Sequence, residues 1–265
     1  MPAVKLSDLR QRLADLAPVI VAFSGGADSA FLAWVAHDTL GPGRASAVTA
    51  VSPSLAPEEL ADCRALAGEW GLAWTPVTTD ELADPAYAAN DGQRCYWCKA
   101  ELMAVLAPLA AAEGATVLLG VNLDDLGDHR PGQRAAAEAG ARFPLLEAGF
   151  SKADVRAASA DLGLRTWDKP AAACLASRVP YGTPVTLGVL GAVSRAESAL
   201  RALGFRALRV RHYGELARLE LGPAELERAL AERSRIVEAV QSAGYRYVTV
   251  DLEGLRSGNL NQALR

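Results

Sequence analysis

The sequence predicts an α/β fold, a parallel sheet flanked by helices, followed by a smaller α+β domain at the C-terminus. Three observations predict it. Short apolar runs at 19–23, 45–51, 72–78 and 117–120 alternate with stretches of helical periodicity, the pattern of βαβ units. The first run ends in a small-residue loop, Ser24-Gly25-Gly26-Ala27-Asp28-Ser29, that passes straight into a helical pattern. Beyond residue 182 the order becomes helix, two strands, helix, strand, which predicts a separate small domain over 183–265 after a first domain over 1–182.

In chain order, Leu6, Leu9, Leu13 and Leu16 predict a lead-in helix over 5–16. Strand 19–23, the small-residue loop and a helix reaching His37 follow. A second strand, 45–51, ends at Ser52-Pro53-Ser54, and helix 57–70 carries Cys63 among Leu60, Leu66 and Ala67 as core packing. Strand 72–78, helix 94–112 and strand 117–120 lead into a charged loop. Helix 133–139, a short strand 143–146, and a helix 151–162 with Ser151 as N-cap and Asp154 three residues on complete the first domain. Residues 169–182 have no clean periodicity and predict a loop reaching the site. The second domain is expected to comprise helix 187–203, strands 207–212 and 217–221 joined at Gly214, one helix over 224–243, and strand 247–252.

Composition narrows the class. At 51% hydrophobic, the 265 residues bury a sizeable core. The net charge of −4 and only four lysines argue against a nucleic-acid partner. Residues 1–182 carry 15 basic and 22 acidic side chains, whereas 183–265 carry 12 and 9, and every basic residue there is Arg. Arg suits bidentate recognition of phosphate or carboxylate. No apolar run reads as a membrane span or signal segment, so the expectation is a cytoplasmic protein, whose four cysteines are core, metal or catalytic residues rather than disulfides.

Strand, tight turn and helix start together make an anion site, because the first helical N–H groups are unpaired and the helix dipole favours negative charge there. Gly25 and Gly26 permit positive φ and close approach of a ligand, and Ser24 and Ser29 add hydroxyls. Asp28 fits beside a phosphate if a divalent cation such as Mg2+ lies between them. No Gly-Lys-Ser/Thr closes the loop, so it is not the P-loop pattern. It resembles instead the PP-loop of ATP pyrophosphatases, which implies ATP cleaved to AMP and pyrophosphate. Ser52 and the loop from Asn122 to Arg130 also follow strands, so they converge on the carboxyl edge of the sheet. Asp124, Asp125, Asp128 and Arg130 suit Mg2+ or phosphate, and equally a capped turn.

Cys95 and Cys98 form a Cys-x-x-Cys pair flanked by Arg94 and Lys99, and Cys174 lies far away in sequence. Three thiolates are too few for a closed structural zinc site but enough for zinc with an exchangeable ligand, or for a 4Fe-4S cluster with one iron not held by protein. A redox pair, or unrelated core cysteines, is the other reading. Cys174 also stands alone as a candidate nucleophile, with Lys169 and Arg178 near it in sequence and small apolar neighbours Ala173 and Ala176 favouring plain packing. Arg209 and Arg211 alternate with Leu208 and Val210, so both guanidinium groups share a strand face that suits a phosphate, with Glu197 on the preceding helix to orient them.

Taken together, Ser24–Ser29, Gly120-Val121-Asn122-Leu123-Asp124-Asp125-Leu126-Gly127-Asp128-His129-Arg130-Pro131-Gly132, Thr166-Trp167-Asp168-Lys169-Pro170, the stretch from Cys174-Leu175-Ala176-Ser177-Arg178 to Gly182, and Arg209-Val210-Arg211-His212 resemble the LarE family over almost the whole chain. The resemblance implies an ATP-dependent sulfur transferase in nickel-pincer nucleotide synthesis, the cofactor of lactate racemase. It adenylylates a carboxylate of pyridinium-3,5-biscarboxylic acid mononucleotide, and sulfur then replaces AMP. It implies that Cys95, Cys98 and Cys174 hold a 4Fe-4S cluster as in three-cysteine members, or that Cys174 gives up its own sulfur as in single-cysteine members. It further implies that Glu197, Arg209 and Arg211 take the substrate phosphate, that Trp97 and Arg178 line the active site, and that the protein assembles as a hexamer, a trimer of dimers. A tRNA thiolase would need a broad basic surface. An ATP-dependent amide synthetase would leave Cys174 unexplained, and a nucleotide-sensing module would leave both Cys174 and the arginine pair unexplained.

Overall fold

The computed structural model describes residues 2–127, 130–170 and 173–256. The chain divides into two compact units. One runs as far as Glu81 and resumes at Gln93; the other takes Leu82–Gly92 and the chain from Ala173 onward. The sequence reading places the boundary after residue 182; by packing, the second unit begins at Ala173 and borrows an earlier segment.

In the first unit, α1 (Pro2–Leu16), β1 (Val19–Ala22), α2 (Ala27–Leu40), β2 (Ala45–Val51), α3 (Pro57–Trp70) and β3 (Ala73–Thr78) follow one another. The second unit's α4 (Pro85–Ala88) intervenes before α5 (Arg94–Glu113), β4 (Thr116–Leu118), α6 (Pro131–Glu138), α7 (Pro144–Glu147) and α8 (Lys152–Asp161). The four strands form a parallel sheet in the order β3-β2-β1-β4. Side chains alternate across β1 as a strand of period two requires. Val19 and Val21 join Leu9, Leu13, Phe31 and Phe150 on one face, and Ile20 joins Leu102, Met103 and Leu106 on the other. Both faces are covered at β1, which is why Val19–Ala22 is apolar throughout, whereas the edge strand β3 has no buried residue and carries Thr75 and Thr78. The order reverses beside β1: the chain steps to β2 on one side and returns to β4 on the other. The carboxyl ends of β1 and β4 are therefore a topological switch point, where open α/β sheets bind ligands.

Two expectations for this unit change. Residues 143–146 do not form a strand. Pro144 opens α7 at its first position, where its missing N–H costs nothing, and Glu147 accepts from Phe143 N at 3.3 Å. Only Arg142 makes a bridge, to Leu118. Helix α5 has the length and apolar composition of a membrane span. Its Leu102, Met103 and Leu106 are nonetheless buried in the core.

The second unit continues with α9 (Leu187–Ala202), β5 (Leu208–Tyr213), β6 (Leu216–Leu221), α10 (Leu226–Ala231), α11 (Arg233–Ser242) and β7 (Tyr247–Val250). Its sheet has the order β5-β6-β7, with β5 antiparallel and β7 parallel to β6. The single helix expected over 224–243 is broken at Glu232, which takes hydrogen bonds from both Arg228 and Arg235. Leu82–Gly92 joins this unit through Asn90. Buried and at φ 56°, Asn90 places its Nδ2 2.8 Å from the carbonyls of Pro180 and Thr183, and its own carbonyl accepts from Gly182 N.

The capping box at α8 is formed as the sequence predicts. Ser151 Oγ accepts from Asp154 N at 3.1 Å and Asp154 Oδ2 accepts from Ser151 N at 2.9 Å. Lys5 pairs with Asp154 at 2.7 Å, tying α1 to α8. Ser151→Ala removes the cap and is expected to destabilise the protein by about 1 kcal/mol, read as a lower midpoint in urea denaturation.

Candidate functional site

The loop after β1 is built by sequence at each step. Phe23 N donates to Val48 O and holds the strand end. Gly25 then turns at φ 70°, a conformation that favours glycine, and a Cβ there would lie 2.8 Å from Cys63 Sγ. Gly26 caps α2 in an extended conformation, so Gly25 alone of the two uses positive φ. No side chain caps α2, which leaves its first amides to a ligand or water. Ser24 and Ser29 brace the turn: Ser29 Oγ accepts from Ser24 N at 3.2 Å, donates to Gly26 O at 3.2 Å, and lies 3.0 Å from Ser24 Oγ.

The loop after β4 is pressed against this turn. A Cβ on Gly120 would lie 2.8 Å from Ser29 N and 2.9 Å from the Asp28 carbonyl carbon, so only glycine fits. Asn122, fully buried, donates from Nδ2 to Asp28 Oδ1 at 3.0 Å. Asp125, also buried, accepts from Asn122 N at 3.2 Å and pairs with Arg130 at 2.9 Å and Lys152 at 3.2 Å. Asp124 accepts from Lys152 N and so docks the loop on α8. Asp128 lies outside the described residues. Burial pushes the Asp28 carboxyl above its ordinary range. The Asn122 hydrogen bond opposes this, Asp125 adds to it, and Lys152 and Arg130 oppose it. A half-buried, proton-prone carboxylate beside uncapped helix amides suits a divalent cation that bridges it to phosphate.

Ser52, at the end of β2, donates to Glu81 at 2.5 Å and accepts from Ser54 N. Lys169 Nζ donates to Gly25 O, Glu59 and Asp62. Burial lowers the Lys169 pKa, but those two carboxylates more than offset it. Cys63 is a core residue, and burial pushes its thiol up to about 11. Cys95 and Cys98 lie in the first and second turns of α5, on one face, and neither is in a disulfide. Trp97, half-buried, packs edge-on against Tyr96 with ring centroids 5.1 Å apart.

In the second unit, Cys174 is exposed just before a single 3-10 turn, Leu175–Arg178. Buried Arg178 folds back over that turn, donating to Ala173 O at 2.5 Å, Cys174 O at 3.1 Å and Ser177 Oγ at 3.1 Å. Its other edge makes a bidentate pair with Glu197 at 2.8 and 3.1 Å. Glu197 is fully buried and also accepts from Arg201 at 3.0 Å and Val210 N at 3.0 Å. Burial raises its pKa, but Arg178, the Val210 amide and Arg201 bring it below the ordinary carboxylate value. Arg209 and Arg211 share one face of β5, as expected. Arg211 is oriented by Glu220 at 2.8 Å and Ser177 O at 2.7 Å. Glu220 lies diagonally across the hairpin and also accepts from Arg218. The sequence signal for Glu220 was the turn at Gly214, which sets Arg209 opposite Glu220. Arg209 donates to Arg256 O at 3.1 Å. Burial lowers its pKa, and the nearby charges of Arg178 and Arg211 lower it further. A guanidinium held among like charges gains from an added anion.

Two substitutions test these assignments. Folding disfavours the charged form of Asp28, so its ionisation costs stability at neutral pH and that cost fades as the pH falls through its raised folded pKa. Asp28→Asn is therefore expected to raise the Tm of the nucleotide-free protein near neutral pH, with the gain shrinking toward pH of about 4. Glu197→Ala leaves Arg178 buried without its partner and is expected to cost about 3–5 kcal/mol, measured by urea denaturation.

No family model matches the chain. Over 263 residues it is 49% identical to an uncharacterized protein of Synechocystis sp., covering 98% of each chain. It is 25% identical over 240 residues to an uncharacterized protein of Methanocaldococcus jannaschii, covering 90% and 91%. It is 42% identical over 263 residues to the pyridinium-3,5-bisthiocarboxylic acid mononucleotide synthase of Lactiplantibacillus plantarum, covering 99% of this chain and 95% of that one. Identity at this level across both full lengths makes the chain a member of the LarE family, to which that synthase belongs.

Proposed function

We propose that this protein is an ATP-dependent sulfur transferase that converts a carboxylate of pyridinium-3,5-biscarboxylic acid mononucleotide into a thiocarboxylate, in the cytoplasm, on the way to the nickel-pincer nucleotide. The observation that carries the reading is the full-length identity to a synthase named for the bisthiocarboxylic acid product. The β1 turn supports the ATP half, with uncapped amides, two serine hydroxyls and the Asn122–Asp28 pair beside them.

A substrate carboxylate oxygen attacks the α-phosphorus of ATP, and the bond to the bridging oxygen breaks to release pyrophosphate. Ser24, Gly25, Gly26 and Ser29 bind the departing phosphates, and Asn122 orients Asp28. Asp28 would hold Mg2+, which neutralises phosphate charge when bound; Asp125 keeps Arg130 at the rim of the same site. Ser52, at the end of β2, would line the nucleotide. A sulfur nucleophile then attacks the acyl carbon, and AMP leaves with the bonding pair. Arg209 and Arg211 hold the substrate's phosphate, with Glu197 and Glu220 keeping the arginine cluster in place.

The cysteines have the donor chemistry for iron: Cys95 and Cys98 lie about one helical turn apart, Cys174 is exposed, and none is in a disulfide. Cys95, Cys98 and Cys174 would hold a 4Fe-4S cluster, which when bound supplies transferable sulfide at its open iron. Trp97 and Arg178 would shape that end of the site, Arg178 by fixing the Cys174 carbonyl. Assembly as a hexamer, a trimer of dimers, belongs to the same reading.

The test is anaerobic purification with iron and acid-labile sulfide analysis, followed by turnover with ATP and the biscarboxylic acid mononucleotide. Iron and sulfide should be present and be lost in Cys95→Ser, Cys98→Ser and Cys174→Ser, while AMP, pyrophosphate and thiocarboxylate form in the wild type. Arg209→Ala should raise KM for the mononucleotide about tenfold or more with KM for ATP unchanged. Loss of one sulfur mass at Cys174 after turnover would replace the cluster by the sacrificial route. Undiminished product formation by Cys174→Ala would sink both routes.

A further inference from the structure

Lys169 takes part in no step above, yet its ammonium is anchored on the backbone of the ATP loop. Nζ donates to Gly25 O at 3.1 Å, Glu59 at 2.8 Å and Asp62 at 2.6 Å. Glu59 and Asp62 are three residues apart on α3, hence on one face. Arg165 secures the other oxygen of Asp62 at 2.7 Å. An ammonium has three protons, and here three acceptors take them. In this arrangement Lys169 has no donor left for a phosphate, so its influence on a bound nucleotide passes through Gly25.

The consequence follows from peptide geometry. In a planar trans peptide the C=O and N–H point to opposite sides. Drawing the Gly25 carbonyl onto Lys169, against α3, turns the Gly26 N–H away from α3. The peptide lies between two glycines, which resist rotation least of all residues. Turned over, it would present a carbonyl oxygen where an anion needs a donor. Cys63 bounds the same turn, since a Cβ on Gly25 would lie 2.8 Å from its sulfur and 3.7 Å from Lys169 Nζ. We infer that Lys169 is a positioning residue that locks the Gly25–Gly26 peptide with its N–H toward the phosphates of ATP, held for that task by Glu59 and Asp62. This rests on the proposed ATP site.

Calorimetric titration of the full chain with Mg-ATP and, separately, with adenosine tests it. Lys169→Met should weaken Mg-ATP binding about ten- to a hundredfold and leave adenosine affinity unchanged. A second variant, Glu59→Gln with Asp62→Asn, keeps the lysine but frees it from its anchors. Removing two negative charges near the loop would tighten ATP if charge alone mattered; positioning requires ATP to weaken. Lys169→Met that keeps the wild-type preference for ATP over adenosine overturns the inference. So does equal weakening of both ligands, or tighter ATP binding by the double variant. If the wild type itself binds Mg-ATP no better than adenosine, the ATP reading falls and takes this inference with it.

Discussion

The contact on which the first unit's site depends is the approach of the Gly120 backbone to the first turn of α2. A Cβ there would meet the Ser29 amide and the Asp28 carbonyl carbon at under 3 Å, so the two loops meet only because residue 120 is glycine. Parallel pairing of β1 with β4 sets the height at which they meet, and the reversal of strand order beside β1 opens the crevice between them. Everything downstream inherits this geometry. Asn122 reaches Asp28 because Gly120 brings it there, and Asp125 reaches back to the Asn122 amide, carrying Arg130 and Lys152 with it.

The second unit solves a different problem, the burial of arginine. Arg178 and Arg211 are almost wholly buried, and each is matched by a fully buried carboxylate, Glu197 or Glu220. Neither carboxylate is spent on one partner. Glu197 also receives Arg201 and the Val210 amide, and Glu220 also receives Arg218. Such saturation is what makes buried charge tolerable, since an ion left with one weak partner would be strongly destabilising. The network also joins elements distant in sequence: the turn after Cys174, α9 and the β5–β6 hairpin. Asn90 adds the segment Leu82–Gly92 by reaching the carbonyls of Pro180 and Thr183.

Much of this was legible in the sequence, and the exceptions share a cause. The strands, most helices and the Ser151 cap follow from local periodicity and capping chemistry, which one segment carries by itself. The strand expected at 143–146 failed because Pro144 both removes a ladder donor and starts a helix well, a point periodicity does not register. The break at Glu232 escaped because Ala-rich sequence keeps a helical pattern across it. Among candidate site residues, Ser24–Ser29, Asn122, Asp125, Glu197 and the Arg209–Arg211 pair were visible as types and spacings, and Arg178 as a charged neighbour of Cys174. Their partners were not. That Lys169 anchors Gly25, and that Glu220 rather than Glu197 orients Arg211, depend on contacts between residues 9 to 144 positions apart. The role of Asn90 had no signal beyond an asparagine in an unpatterned stretch.

On the proposed reading, the two units are charged to bind different phosphates. Around the β1 turn, Asp28, Glu59, Asp62 and Asp125 face Lys169, Arg165, Arg130 and Lys152, so carboxylates and cations nearly cancel. Backbone amides there can orient a polyphosphate but offer little net charge to neutralise it, which favours phosphate that arrives with its own cation, as Mg-ATP does. In the second unit Arg178, Arg201, Arg209, Arg211 and Arg218 outnumber Glu197, Glu220 and Asp251. An arginine surplus neutralises an anion directly and favours a phosphate with no metal attached, such as that of a mononucleotide. Charge balance would then discriminate between two substrates that both carry nucleotide phosphate, which shape alone would separate less well.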